Sequence, residues 1–411
     1  MLSPPPPGRH AVAFILVTAA LDVLALGIII PVLPQLVAEL AGSSRDAGFL
    51  NGVFVAIWAL AQFIAAPAVG ALSDRYGRRP VLLVSALGLG ADYLLLALAP
   101  NLWWLALGRA LSGVTGASFS IVYAYMADVT PPEGRARAFG LIGAAWSGGF
   151  IAGPLLGGLL GELSPRAPFW VAAALSGAAF IYGYLVLPET LPPELRRPFS
   201  WRRANPFGAL RLLRSRAGLP RLAIVLFLLD AGHHVFSAVY VLYAGDRYGW
   251  SATEIGVLLA VVGALDVAVQ GALVGPVVRR IGERATLVLG TLGGAVGLAA
   301  MGLAPTGLGF ALAVLPNALW GLALPTLQSA MTARVSASEQ GELQGATTSV
   351  GSLAGIGAPP LFGAIYGLAA GPSPTLSLPG APFLAASLVL VIAAALSRRL
   401  GSVPRRPSRP E

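Results

Sequence analysis

A chain of 411 residues that is 56% hydrophobic and only 11% charged cannot keep its surface in water, because soluble domains carry about 25% charged residues. Cysteine is absent and histidine is confined to His10, His233 and His234, which excludes disulfides, thiolate metal sites and cysteine nucleophiles and leaves little for a zinc site. The net charge of +9 comes from arginine alone, spread between apolar runs rather than over one face, so it reads as an orientation signal and not as a nucleic-acid surface.

A bilayer core about 30 Å thick takes about 20 apolar residues per helix. Runs of that kind predict twelve helices, at 11–36, 48–72, 80–99, 102–127, 136–161, 167–188, 221–246, 253–277, 285–304, 308–333, 340–366 and 379–399. The first run follows a short Pro-rich tail, continues past Pro31 and holds Asp22, which is a spanning helix rather than a cleavable signal. Asp22 lies about eleven residues in, roughly 16 Å deep at 1.5 Å per residue. A charge at that depth costs several kcal/mol and must face an interior path. Burial raises a carboxyl pKa and a nearby cation lowers it, so a group balanced between them can load and unload protons. A plain interhelical hydrogen bond is the competing reading.

The second run carries Gln62, and the segment after it reads Gly70-Ala-Leu-Ser-Asp-Arg-Tyr-Gly-Arg-Arg-Pro80. Gly77 bends this loop and Pro80 suits the first turn of the next helix. Asp74 in so basic a loop needs another reason, as a helix cap or an ion-pair partner of Arg75, Arg78 and Arg79. Asp92 lies about twelve residues into the third run, and Arg109 inside the fourth at a depth similar to Asp22. Asp128 ends the fourth run on the same side as Arg75 and Arg78, which predicts an ion-pair latch. Gly149, Gly153, Gly157 and Gly161 recur every fourth residue in the fifth run, with Pro154 and Gly158 among them; small residues at that spacing let helices approach closely.

Pro188 to Pro220 is polar and rich in Pro and Arg, and reads as a linker that divides the chain into 1–188, 189–220 and 221–411, with a short basic tail at the end. The seventh run holds Asp230, His233 and His234, and the eighth Asp266 and Gln270; Asp230 and His233, three apart, are predicted to share a helical face. Pro316, Pro325, Pro359 and Pro360 are predicted to interrupt the tenth and eleventh runs. The loop at 70–80 has a partner at Gly275-Pro-Val-Val-Arg-Arg-Ile-Gly-Glu-Arg-Ala285, 205 residues on, and Pro154 and Pro359 share that offset. Duplicated halves are a mark of secondary transporters. With both ends inside, twenty-three arginines fall in inner segments and three in outer loops, which sets both termini in the cytoplasm.

The 70–80 loop resembles the signature loop of the major facilitator superfamily. Leu21-Asp-Val-Leu-Ala-Leu-Gly-Ile-Ile-Ile-Pro-Val-Leu-Pro34, Leu107-Gly-Arg-Ala-Leu-Ser-Gly-Val-Thr-Gly-Ala117 and Gly149-Phe-Ile-Ala-Gly-Pro-Leu-Leu-Gly-Gly158 resemble motifs of its drug:proton antiporters. Gly88-Leu-Gly-Ala-Asp-Tyr93, Ser164-Pro-Arg-Ala-Pro-Phe169, Asp246-Arg-Tyr-Gly-Trp250 and Gln340-Gly-Glu-Leu-Gln-Gly345 are similar to bacterial tetracycline:proton antiporters. The resemblance implies an all-α integral membrane protein with the twelve-helix major facilitator fold, two pseudo-symmetric six-helix halves and alternating access. It implies proton coupling through Asp22 and Arg109, substrate or cation handling by Asp92 and Gln62, and a fifth-helix motif that limits proton leak. The second half departs from that pattern. Asp266 stands where these antiporters carry a histidine, with Gln270 retained one turn on, and Gly294 where they carry an acidic residue. Asp230, His233 and His234 are new polar groups that read as a relocated proton or cation site. Asp230 and Asp266 are expected in proton coupling and His233, His234 and Gln270 in substrate binding, and tetracycline itself is placed in doubt.

The expectation is a bacterial inner-membrane antiporter for a hydrophobic, drug-like compound of tetracycline or multidrug type, with a proton-coupled importer as the alternative. It would have no cofactor, draw on proton-motive force and work as a monomer. No Gly-x-Ser-x-Gly elbow, His-Glu-x-x-His helix or P-loop is present, which speaks against an intramembrane enzyme or an ATP-driven pump.

Overall fold

The computed structural model describes residues 9–116, 119–130, 135–196, 198–199, 205, 207, 210–216, 218–335, 340–370 and 378–398, and among them every regular element is helical. Much of the expected linker between 197 and 209, and the basic tail after Arg398, lie outside the described residues. Only a helix satisfies its own backbone hydrogen bonds in lipid apart from a closed barrel, so the apolar runs become spans. Spans 1, 2 and 3 are Ile15–Ala41, Asp46–Tyr76 and Arg78–Leu98. Span 4 comprises Leu102–Gly116 and Phe119–Val129, and spans 5, 6 and 7 are Ala138–Leu163, Ala167–Val186 and Leu219–Tyr248. A 52-residue stretch, Ala252–Leu303, breaks at Gly282 (φ 80°, ψ 162°) into span 8 (252–281) and span 9 (283–303). Spans 10, 11 and 12 are Gly307–Thr332, Leu343–Ala369 and Ala381–Arg398. Among the described residues this makes twelve candidate spans, at the predicted places to within a few residues.

Gly282 has a counterpart. Gly77, 205 residues earlier, joins spans 2 and 3 with φ 106° and ψ 164°, a region that only glycine enters without penalty. The duplication seen in the sequence therefore extends to backbone geometry at equivalent loops.

The prolines act differently from one span to another. A turn at 30–32 separates Arg9–Ile29 from Leu33–Ala41, so Pro31 bends span 1. Span 10 is broken into Gly307–Leu312, Val314–Ala318, a 3₁₀ turn at Leu319–Leu322 and Ala323–Thr332, as Pro316 and Pro325 require. Span 11 corrects the expectation: Gln340–Ala370 is one helix through Pro359 and Pro360. Proline is tolerated in a span where neighbours support the freed backbone, and here Gly52 of span 2 lies directly against it. A Cβ on Gly52 would stand 2.8 Å from Pro360 Cα.

Contacts gather the chain into two compact units. One is Met1–Pro206 with Val235–Ala264 and Gly355–Pro382; the other is Phe207–His234 with Leu265–Ala354 and Phe383–Glu411. The first has a core of Ile15, Ala19, Tyr125, Met126, Ile142 and Leu187. In the second, Phe310 meets Phe383 edge to face at 5.8 Å and Ser387 Oγ donates to the Ala295 carbonyl at 2.7 Å.

Candidate functional site

In the first unit, three spans bring their polar residues to one place. Asp22 is 9% exposed, and its Oδ1 is buried without a hydrogen-bond partner among the described residues. Asp92 is fully buried on span 3, its carboxylate seated where a side chain on Gly108 would be (2.7 Å from an ideal Cβ). Arg109, next to that glycine and also buried, donates from Nη2 to Ser112 Oγ at 3.4 Å. Arg109 and Ser112 are both within electrostatic reach of Asp92, and Tyr93 feels Asp22, Asp92 and Arg109 together. Asp92 is thus the acid beside Arg109, while Asp22 joins the set through Tyr93. The sequence had singled out Asp22, Asp92 and Arg109; Tyr93 and Ser112 were missed as members of the cluster. Gln62 is half-buried on span 2, with its backbone N at 3.2 Å from an ideal Cβ on Gly113 of span 4.

Span 5 serves as a packing rail. Its glycines 149, 153 and 161 meet Val23, Gly27 and Val32 of span 1, with an ideal Cβ at 2.7, 2.6 and 2.6 Å from the neighbouring atom; Gly157 meets the Ile28 carbonyl. The adjoining face carries Pro154 and Gly158 against Gly256 and Ala252 of span 8. The four-residue repeat thus sets the position of the helix that bears Asp22.

At the loop between spans 2 and 3, Arg78 is the hub. Its Nη1 donates to Asp74 Oδ1 at 2.7 Å and to Ser73 Oγ at 3.0 Å, and its Nε to Asp128 Oδ2 at 3.2 Å. The latch therefore joins Asp74, Arg78 and Asp128. Arg75 instead lies over the Tyr76 ring at 5.1 Å, and Arg79 Nη2 donates to the Tyr184 carbonyl at 2.7 Å. Gly70 has open space around it and, with Pro67, Ala71, Asp74 and Pro198, lines a cavity of about 210 Å³ beside the latch. Asp74 is 38% exposed, so each pair contributes about 1 kcal/mol or less, a factor of about five in an equilibrium. Asp74→Asn should accordingly lower the transport rate by two- to fivefold at unchanged membrane abundance. Transport at the wild-type rate, measured per molecule in vesicles, would exclude the latch.

In the second unit, Gln270 Nε2 donates to Asp266 Oδ2 at 2.6 Å, while Oδ1 rests on Gly321 (2.7 Å from an ideal Cβ). His233 is within electrostatic reach of Asp266 and meets the Trp320 ring edge to face at 5.6 Å; His234 follows it on span 7. The Trp320 indole occupies the groove left by Gly294 (2.9 Å from an ideal Cβ), in the 3₁₀ turn of span 10. Asp230 Oδ2 lies beside Gly351 of span 11. Gln270 sits in a π turn, Val269–Leu273, a local unwinding common at functional sites. Trp320 was missed because nothing in an apolar run marks one aromatic as site-lining. Among the described residues no group of three or more His, Cys, Asp or Glu is placed to hold a metal.

A further polar contact in the first unit was not read from the sequence. Asn51 Nδ2 donates to the Ser237 and Ala238 carbonyls at 2.9 and 2.8 Å, both in a π turn, Phe236–Tyr240. Tyr366 Oη donates to Asp246 Oδ2 at 2.5 Å. An asparagine within an apolar run was the available signal, since such residues seek a partner in lipid.

The profile of the Major Facilitator Superfamily matches residues 15–359. The chain is 40% identical to the tetracycline resistance protein, class C, of Escherichia coli, over 88% of this chain and 91% of the relative. It is also 40% identical to the class G protein of Vibrio anguillarum, over 88% and 92%. Among solved structures it is similar to the human organic anion transporter MFSD10 (TETRAN), with TM-score 0.70 and 25% identity over 96% of this chain and all of that one. The chain belongs to the Major Facilitator Superfamily, in the family of its tetracycline resistance proteins.

Proposed function

We propose that the protein exports a tetracycline-type or similar drug-like compound across the bacterial inner membrane in exchange for protons, by alternating access, with both termini cytoplasmic. The observation that carries this reading is the buried Asp22–Asp92–Arg109 cluster in a chain whose relatives are named for tetracycline resistance. A proton taken up at Asp22 removes a charge from the interior, and its release restores an acid that Arg109 can face. The stroke that binds a proton can then be tied to the stroke that releases cargo. In the first unit Gln62 and Asp92 offer hydrogen-bonding groups to a polar, multi-ring substrate; in the second, taken by itself, His233, His234 and Gln270 are the hydrogen-bonding groups and Asp230 and Asp266 the further acids available for protons. The energy comes from the proton gradient, about 2.3 kcal/mol per charge per 100 mV, and no cofactor enters the scheme. A monomer suffices for it.

The test is drug accumulation in a pump-deleted bacterium expressing the chain, with and without an uncoupler, using tetracyclines, lipophilic cations and phenicols. Expression should lower accumulation of at least one tetracycline severalfold, and the uncoupler should restore it. Unchanged accumulation across the panel, with the protein confirmed in the membrane, would refute drug export and turn attention to import.

A further inference from the structure

The end of span 6 supplies a residue that none of the motifs contains. Glu189 Oε1 accepts from the backbone N–H of Arg78 at 2.9 Å, and Oε2 from that of Arg79 at 3.3 Å. These are the first residues of span 3, 111 and 110 positions away in sequence. The same Oε1 accepts from the N–H groups of Thr190 and Leu191 at 2.9 and 3.0 Å. A helix start leaves its first N–H groups unpaired and carries partial positive charge, so a carboxylate is a fitting occupant. The ordinary source of such a cap is the residue just before the helix. Here that residue is Gly77, which has no side chain to give, and a Cβ on it would stand 2.6 Å from Glu189 Cδ. The glycine leaves the opening and the glutamate fills it.

Neighbouring contacts bind the end of span 6 to both sides of the Arg78 hub. Arg79 reaches the Tyr184 carbonyl and lies over the Tyr184 ring at 5.6 Å. Tyr125 Oη donates to the Pro188 carbonyl at 3.0 Å. Thr190 Oγ1 donates to Asp128 Oδ2 at 3.3 Å, the oxygen that also receives Arg78 Nε. Of the two roles the sequence offered Asp74, helix cap or ion-pair partner, the structure shows the ion pair with Arg78, and the cap comes from Glu189, just after span 6.

We propose that Glu189 is the positioning residue of the Asp74–Arg78–Asp128 latch: it fixes the backbone at Arg78 so that one guanidinium spans both acids, and it ties the latch to the segment that leaves span 6. Loss of the Glu189 oxygen that accepts from the Arg78 N–H frees the start of span 3 and lets Arg78 leave Asp128, so the latch opens more often. Substrate contacts are untouched. The proposal goes beyond the export reading and can be tested without knowing the cargo.

Because the native chain has no cysteine, Ala71→Cys, in the cavity beside Asp74, gives one thiol whose maleimide labelling rate in membranes reports latch opening. Glu189→Ala should raise that rate about three- to tenfold, and Glu189→Gln, which keeps an Oε1 acceptor, should stay within about twofold of the parent. In an Arg78→Ala background, Glu189→Ala should add less than twofold, because the latch is already broken. A full three- to tenfold increase in that background would overturn the proposal, as would an unchanged rate in Glu189→Ala. Where Glu189→Ala lowers membrane abundance, Glu189→Asp, with its carboxylate drawn back by one methylene, is compared with Glu189→Gln, and equal rates in the two would also overturn it. Vesicle transport of tetracycline is measured alongside: absent wild-type transport counts against the export reading alone, whereas labelling decides the role of Glu189.

Discussion

Asp22→Asn should abolish proton-driven accumulation while leaving the protein folded and able to exchange substrate. Asparagine matches the protonated acid in shape and lacks only the ability to change charge. Asp22 Oδ1 is buried with no hydrogen-bond partner among the described residues, so the equally sized amide disrupts no existing hydrogen bond at that atom. In everted vesicles, one proton per cycle can sustain a substrate ratio of about 50-fold per 100 mV, from 2.3 kcal/mol at 1.36 kcal/mol per decade. The variant should fall to a ratio near one, yet still exchange preloaded substrate across the membrane at a rate within about threefold of wild type. Accumulation that survives at the wild-type ratio would make Asp22 a packing residue. Loss of both accumulation and exchange would place it in substrate binding instead. Asp92→Asn offers the contrast. Asp92 lies against Gly108 and nearer the Arg109–Ser112 pair, so its loss should change affinity as well as coupling.

How much of this was legible from residues alone depends on whether a signal is local. The spans were, since length and hydropathy over about 20 residues decide them. So were Gly77, whose role is set by its own φ, and the latch pair Arg78–Asp74, four residues apart on adjoining turns. Depth counting placed Asp22 and Arg109 at a similar level, and in the structure both, with Asp92, lie within electrostatic reach of Tyr93. Glu189 could not be found in this way. Its partners at the start of span 3 lie 111 and 110 residues back, and its only local mark is a position after a proline at the end of an apolar run. Asn51 and Ser237 are separated by 186 residues, and His233 reaches Trp320 through a groove created by Gly294 on a third helix. Spans that are apolar around their whole circumference show no amphipathic stripe to say which face meets which neighbour. Arg75 illustrates the limit from the other side: the sequence placed it in the latch by charge and proximity, but a helical residue one position from Asp74 points to a different face. The uninterrupted span 11 was equally hidden, since Gly52, which packs directly against Pro359 and Pro360, lies more than 300 residues away.

Gly153→Val should cost at least tenfold in transport, and the loss should trace to the position of span 1 rather than to chemistry at residue 153. Gly153 and Gly27 meet backbone to backbone: a Cβ on the first would stand 2.6 Å from Gly27 Cα, and one on the second 2.9 Å from Gly153 Cα. No flexible side chain is there to swing aside, so the helices must separate. Overpacking of a tight contact costs about 1–3 kcal/mol. Asp22 lies five residues before Gly27, about 7.5 Å along the helix at 1.5 Å per residue, so a shift at Gly27 is carried to the carboxylate. The control is on the same helix. Gly148 has nothing within 4 Å of where its Cβ would be, so Gly148→Val should transport within about twofold of wild type. Melting in detergent and proton flux without substrate separate the remaining possibilities. If Gly153→Val melts lower and also leaks protons, close packing of spans 1 and 5 sets coupling as well as stability. If it melts lower without a leak, the glycine rail is structural alone. If both valine variants fail equally, the close approach at Gly27 is not the reason, because only one of them touches it.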